Sequence, residues 1–239
     1  PDAPLLAWGF DPIYFEGRRM RRQDLDEISV SRPILVVHAN FHLLNVNSEV
    51  LRRGGISRDT PVEGILRDTD GEPSGELQEM AAKFMAFKAA GRNLFDDSLR
   101  DQDVQRFGQA AQMAGITTIA DLLSRLDEES FACYKRVTRN TDFPARVVPA
   151  LAGMMWEPEA GVQRLGELAG QGNDKLHPGL VKIMTDGSIQ GFTGRLNWPG
   201  YFSGADNGLW NAPPEELKRM IRVYHDAGYS LHIHANGDQ

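Results

Sequence analysis

Two kinds of apolar spacing divide the chain. Short runs rich in β-branched residues predict strands, and stretches whose apolar positions recur every third or fourth residue predict helices. Leu5 to Phe10 reads as a short strand and Ile34-Leu35-Val36-Val37 as a more apolar one, left through a loop at Ala39-Asn40-Phe41-His42. Asn47-Ser48 offers a cap for a short helix through Val50 and Leu51 that ends at Gly54-Gly55, so this part reads strand, loop, helix. Gly64 to Asp68 and Gly75 to Gln78 flank Thr69-Asp70-Gly71-Glu72-Pro73, which is hairpin chemistry around an Asp-Gly turn. Residues 55–80 therefore read as an inserted β-hairpin, an excursion from the main fold. A helix over Met80 to Ala90 follows, with Phe84, Phe87 and Lys88 on its partly buried face.

The second half is more regular. Ser98 with Asp101 resembles a capping box for a helix carrying Val104, Phe107, Ala111 and Ala114, and Ile116 to Ala120 is the strand after it, with Asp121 at its end. Asp127 to Arg139 carries Phe131, Tyr134 and Val137 at helical spacing before a strand at Ala145 to Leu151. Pro158 opens a helix with Val162, Leu165 and Leu168, and Gly179 to Gly187 contains the next strand. Residues 188–212 have glycines and aromatics but no period, as expected of a binding loop. Pro213-Pro214 opens a helix with Leu217, Met220, Ile221 and Tyr224 on one face, and Tyr229 to His234 is the last strand. Strands apolar on both faces, alternating with helices, predict an α/β fold with a parallel sheet, either doubly wound or a TIM-like (β/α) barrel. No Gly-x-Gly-x-x-Gly loop follows any strand, which argues against dinucleotide binding.

Composition narrows the partners. At 239 residues and 41% hydrophobic, the chain has the makings of a substantial core. A net charge of −7 gives no footprint for nucleic acid or an anionic membrane, so neither is expected as a partner. The single cysteine, Cys133, excludes an intrachain disulfide and is compatible with a reducing, cytoplasmic setting. No apolar run reaches membrane-spanning length. The start at Pro1 and the end just after Gly237-Asp238 lead us to expect a piece of a longer chain, with open sheet edges that invite pairing into a homo-oligomer.

The chemistry concentrates in the last strands. Alternation along Ser230-Leu231-His232-Ile233-His234 places His232 and His234 on one face, where two imidazoles suit a metal or a packed barrel interior. Lys182 sits inside an apolar strand, where an ammonium needs a partner or a lowered pKa. It is open to three readings: an ion pair with Asp121 or Asp186 in a non-catalytic binding or scaffold module, a Schiff-base nucleophile, or a carbamate that ligates metal.

Val181-Lys182-Ile183-Met184-Thr185-Asp186-Gly187-Ser188-Ile189-Gln190-Gly191-Phe192-Thr193, followed by Leu231-His232-Ile233-His234-Ala235-Asn236-Gly237-Asp238, resembles the amidohydrolase superfamily, specifically its amidohydrolase 3 (YtcJ-like) family. Gly115 to Asp121 is similar to that family's second barrel strand, Gly71 to Glu79 to its inserted hairpin, and Asn47-Ser48 through Gly54-Gly55-Ile56 to its Asn-Ser and Ala-Gly-Ile signature. The resemblance implies that residues 1–239 are the central part of one metal-dependent (β/α)8 barrel, with the first and last strands outside the chain. It implies one or two divalent ions, usually zinc, and hydrolysis of small amide-type substrates at non-peptide carbon–nitrogen bonds. By position, Lys182 matches the catalytic, often carboxylated metal-bridging lysine and His234 a metal ligand. His42 matches a substrate-side histidine, although Asn40-Phe41 stand where the family has Ser-Gly, and Asp186 and His232 are its expected neighbours at the substrate. The family's first-strand His-x-His, sixth-strand His and eighth-strand Asp have no counterpart here, so the 239-residue piece alone is expected to be inactive.

Overall fold

The computed structural model describes residues 3–15, 19–92 and 99–239. The chain forms two compact units. The first comprises Pro1–Asp96, Asp186–Asn211 and Ala235–Gln239, the second Asp97–Thr185 and Ala212–His234. Among the described residues no helix is long and apolar enough to cross a membrane.

The first unit is built on a five-stranded mixed sheet. Its elements are β1 (Leu5–Phe10), α1 (Arg22–Asp26), β2 (Ile34–His38), β3 (Leu43–Val46), α2 (Ser48–Gly54), β4 (Ile65–Arg67), β5 (Pro73–Gln78) and α3 (Glu79–Ala89). The strand order is β1-β2-β3-β5-β4, parallel only between β1 and β2. Register aligns Val37 with Leu44, Leu44 with Leu77 and Leu77 with Ile65, an apolar row across four strands. With Leu35 and Val46 it forms a core against α2 and α3, which add Val50, Leu51, Ala82, Ala86 and Phe87. Ile34 and Val36, on the other face of β2, pack with Leu25 of α1. Both faces of β2 are covered, which is why its sequence is apolar without alternation.

One expectation changes here. The segment read as strand, loop, helix contains a further strand, β3, which turns the Ala39–His42 loop into a hairpin connection. The predicted hairpin at 55–80 forms as β4 and β5 and pairs through β5 with β3, extending this sheet. Asn47 caps α2 as expected, accepting from Val50 N at 3.3 Å, and Gly55 closes it at φ 61°. The same side chain accepts from Ile34 N at 3.1 Å and donates to Ser29 O and Arg32 O, each at 2.8 Å, so one cap also fixes the entry to β2.

The second unit alternates α4 (Asp101–Met113), β6 (Thr118–Ser124), α5 (Glu128–Thr138), β7 (Arg146–Ala152), α6 (Pro158–Leu168), β8 (Leu180–Met184), α7 (Pro214–Asp226) and β9 (Ser230–His234). The four strands lie in chain order, all parallel. Phe131, Tyr134 and Val137 of α5 and Leu217, Met220 and Tyr224 of α7 are buried, as their spacing predicts. Gly161 of α6 carries no side chain because the Tyr224 ring and hydroxyl fill the space its Cβ would take. The proposed capping box at Ser98 lies outside the described residues, and Phe107, expected on the inner face of α4, is 44% exposed. β6 runs three residues beyond the expected end at Asp121.

Candidate active site

Lys182 and His232 are cross-strand partners in the parallel pair β8–β9, and Met184 partners His234. Alternation therefore places Lys182, His232 and His234 on one face, while Val181 and Ile183 point to the other and are fully buried. Lys182 is 9% exposed, and burial alone lowers the pKa of its ammonium. Among the described residues of its own unit it forms no ion pair, Asp121 included. Asp121 is used otherwise: its carboxylate accepts from the Tyr134 hydroxyl on α5 and from Leu123 N. His232 is exposed and His234 half-buried. The carbonyl of His234 accepts from Thr185 N at 2.9 Å and Thr185 Oγ1 at 2.7 Å, which locks the end of β9 to the residue leaving β8.

His42 and Asp186 belong to the first unit. His42 Nδ1 lies 3.0 Å from both carboxylate oxygens of Glu79, the first residue of α3. One turn along α3, Lys83 is 3% exposed and donates from Nζ to the Phe41 carbonyl. Burial lowers the Lys83 pKa to about 8, against an opposing pull from Glu79. Asp186, 1% exposed, accepts three backbone amides: Asn236 at 2.9 Å on Oδ1, and Arg195 at 2.9 Å and Gly237 at 2.7 Å on Oδ2. The 188–212 loop is thereby tied to the C-terminal turn, and Asn197 adds a bond to Asp238 Oδ1 at 2.8 Å.

Sequence reasoning missed Glu79 and Lys83. It placed Phe84 and Lys88 on the inner face of α3, yet both are exposed, while Ala82, Lys83, Ala86 and Phe87 turn inward. The usable signal was the Glu79–Lys83 spacing of four residues beside a strand-end histidine, but the same spacing is ordinary on a solvated helix face.

The donor types on the Lys182 face suit a divalent metal, but their number does not. A catalytic zinc site takes three protein ligands, and among the described residues no group of three His, Cys, Asp or Glu side chains is arranged to hold an ion. This chain's described residues do not complete a metal centre.

A parallel β/α sheet with polar residues gathered where β8 and β9 end is the arrangement of barrel hydrolases, whose chemistry sits at the C-terminal ends of the strands. The chain belongs to the amidohydrolase family, whose model matches residues 1–239. It is 28% identical to the putative amidohydrolase YtcJ of Bacillus subtilis (strain 168), over 98% of this chain and 44% of that protein. It is 27% identical to the protein LONG AFTER FAR-RED 3 of Arabidopsis thaliana, over 98% of this chain and 41% of that protein. The chain thus spans less than half the length of these relatives. Two crystal structures of uncharacterized metal-dependent hydrolases share the fold. One, from Pyrococcus horikoshii OT3, has TM-score 0.54 and 21% identity, covering 100% of this chain and 46% of that one. The other, from Pyrococcus furiosus, has TM-score 0.52 and 20% identity, covering 100% and 47%. The fold class is accordingly α/β, a partial TIM-like barrel of the metal-dependent hydrolase type.

Proposed function

We propose that these residues are the central part of a metal-dependent hydrolase that cleaves non-peptide carbon–nitrogen bonds in small amide-type substrates. The observation that carries this reading is Lys182: a buried lysine without a counter-charge, on the same strand face as two imidazoles. Unpaired buried charge is costly, and such costs concentrate where chemistry needs them. Lowering its pKa raises the share of neutral amine, the form that adds to carbon dioxide, giving up a proton as the N–C bond of a carbamate forms. Lys182 and His234 are then the metal-side residues, with further ligands supplied by parts of the whole protein outside residues 1–239. A bound divalent ion, zinc in this reading, supplies a water of lowered pKa. His42 and His232 take the substrate side, and Asp186 shapes it through the turns it holds.

The test is made on the whole protein. Metal per chain is measured by elemental analysis, and hydrolysis of an amide panel is compared with a Lys182→Ala variant and with the 239-residue piece alone. Bound metal with activity lost in the variant and in the piece supports the reading. Failure of the whole protein to hold any divalent ion after reconstitution would overturn it.

A further inference from the structure

Within the second unit, a cavity of about 290 Å³ opens between the start of α5 and one face of α6. On α6 its wall is the stripe Ala160, Gln163, Arg164 and Glu167, at i, i+3, i+4 and i+7, beside the buried face of Leu165 and Leu168. Its other walls come from the segments that leave β6 and β7, which contribute Asp127 and Trp156. The cavity therefore lies at the C-terminal end of the parallel strands, the end where barrel proteins build their ligand sites. Ala152, the last residue of β7, is the cross-strand partner of Lys182, and Trp156 stands four residues beyond it.

Hydrogen bonds within the protein fix these walls. Trp156 Nε1 donates to Arg125 O at 3.0 Å, and Arg164 Nε donates to Leu126 O at 2.7 Å. Both grip the corner after β6, where Leu126 is fully buried and left-handed at φ 48°. With its N–H committed, the half-buried indole has only its ring to offer the cavity.

Most of the charges around the cavity are also committed. Arg164 NH1 donates to Glu167 Oε2 at 3.2 Å, and Glu167 Oε1 accepts from Gln163 Nε2 at 3.0 Å. Asp127 Oδ1 caps α5 by accepting from Ser130 N at 2.9 Å, while its Oδ2 faces Arg125 Nε at 3.5 Å. Glu128 is different: it is exposed, and among the described residues it has no hydrogen bond or ion pair. A ligand thus meets an aromatic ring, the small apolar Ala160 and one unmatched carboxylate. An anion would face three carboxylates, and a neutral apolar molecule would leave Glu128 unused. A cation with an apolar body uses both, since an ammonium is drawn to a carboxylate and to the face of an indole.

We propose that this cavity binds a small organic ammonium ion, with its apolar or aromatic body against Trp156 and Ala160 and its charge on Glu128. The proposal does not rest on the hydrolase reading.

Benzylammonium is the probe, with benzyl alcohol and benzoate as its neutral and anionic counterparts, titrated into the whole protein labelled at tryptophan. The indole N–H signal that disappears in a Trp156→Phe variant reports the site. Benzylammonium should shift that signal saturably, and benzoate should leave it unmoved. Benzyl alcohol should bind about fivefold more weakly than benzylammonium, the worth of one solvent-accessible charge pair. Glu128→Gln should weaken benzylammonium by a similar factor. Glu129→Gln, which removes the same charge one residue along the helix at an exposed position outside the cavity, should not. A Trp156 signal unmoved by benzylammonium overturns the proposal, as does equal binding of benzoate or benzyl alcohol. So does an affinity unchanged by Glu128→Gln, or lowered equally by Glu129→Gln, which would reduce the effect to general surface charge.

Discussion

Asp186 accepts the backbone amide of Gly237 at 2.7 Å, joining a residue just past the lysine strand to the turn that follows the histidine strand. The same carboxylate holds Asn236 and Arg195. A buried carboxylate serving three amides is a structural anchor as well as a candidate site residue.

Asp186→Asn tests the anchor. One carboxamide end is a donor, so whichever way it lies at least one of the three amides loses its acceptor. The expected cost is about 2 kcal/mol, as for bonds to a charged group. Urea unfolding measures it, with faster hydrogen exchange at Asn236 or Gly237 as the local sign. A loss within experimental error would show that the amides find other acceptors.

Lys83 gives a pH signature. Its folded value of about 8 lies below the ordinary 10.5, so folding releases a proton between those values and stability rises with pH across that window. Below pH 8 the penalty is constant. Unfolding free energy of wild type minus Lys83→Met should therefore climb by roughly 3 kcal/mol from pH 8 to 10.5. A flat difference would mean that the ammonium is solvated.

His38 gives the opposite signature on the acid side. Asn45 Nδ2 donates to Met20 O at 2.9 Å, so Asn45 Oδ1 is the acceptor for His38 Nε2–H at 2.5 Å, and buried Nδ1 is left without a partner. Burial lowers the His38 pKa from 6.5. Its contribution is complete above pH 6.5 and is lost as pH falls from there toward the lowered folded value. His38→Gln keeps a donor for Asn45 and does not titrate, so its stability curve should be flatter below pH 6.5 than that of wild type. Parallel curves would assign the acid sensitivity elsewhere.

Lys182→Met separates stability from chemistry. In metal-free protein, removing an unpaired ammonium at 9% exposure should stabilise the fold by about 1 kcal/mol, while the same change abolishes activity of the metal-loaded whole protein. A clear loss of stability, read from the urea midpoint, would reveal a stabilising partner for the ammonium.

The sequence announced the second unit well because each of its elements states its own period. Phe131, Tyr134 and Val137, or Leu217, Met220 and Tyr224, face inward where the spacing puts them. The first unit was harder to read. β3 is only Leu43–Val46, with Asn45 in it, and a four-residue run containing an amide is not a strand by pattern. Its burial depends on His38 from the neighbouring strand, which no local window reveals. Lys182 and His234 stood out because polar residues in apolar strands are anomalies. Glu79 and Lys83 did not, because a charged pair on a helix is ordinary until tertiary packing buries it.

The discontinuity of the first unit has a consequence for the order in which the protein is made. The β6–β9 ladder pairs each strand with the next in the chain, so it grows stepwise as the chain emerges. The first unit needs Asp186–Asn211 and then Ala235–Gln239, the last of which arrive after every strand of the other unit. Until Asn236 and Gly237 leave the ribosome, Asp186 lacks two of its three amide partners. Within residues 1–239, the unit whose first residues are made earliest therefore also contains those made last.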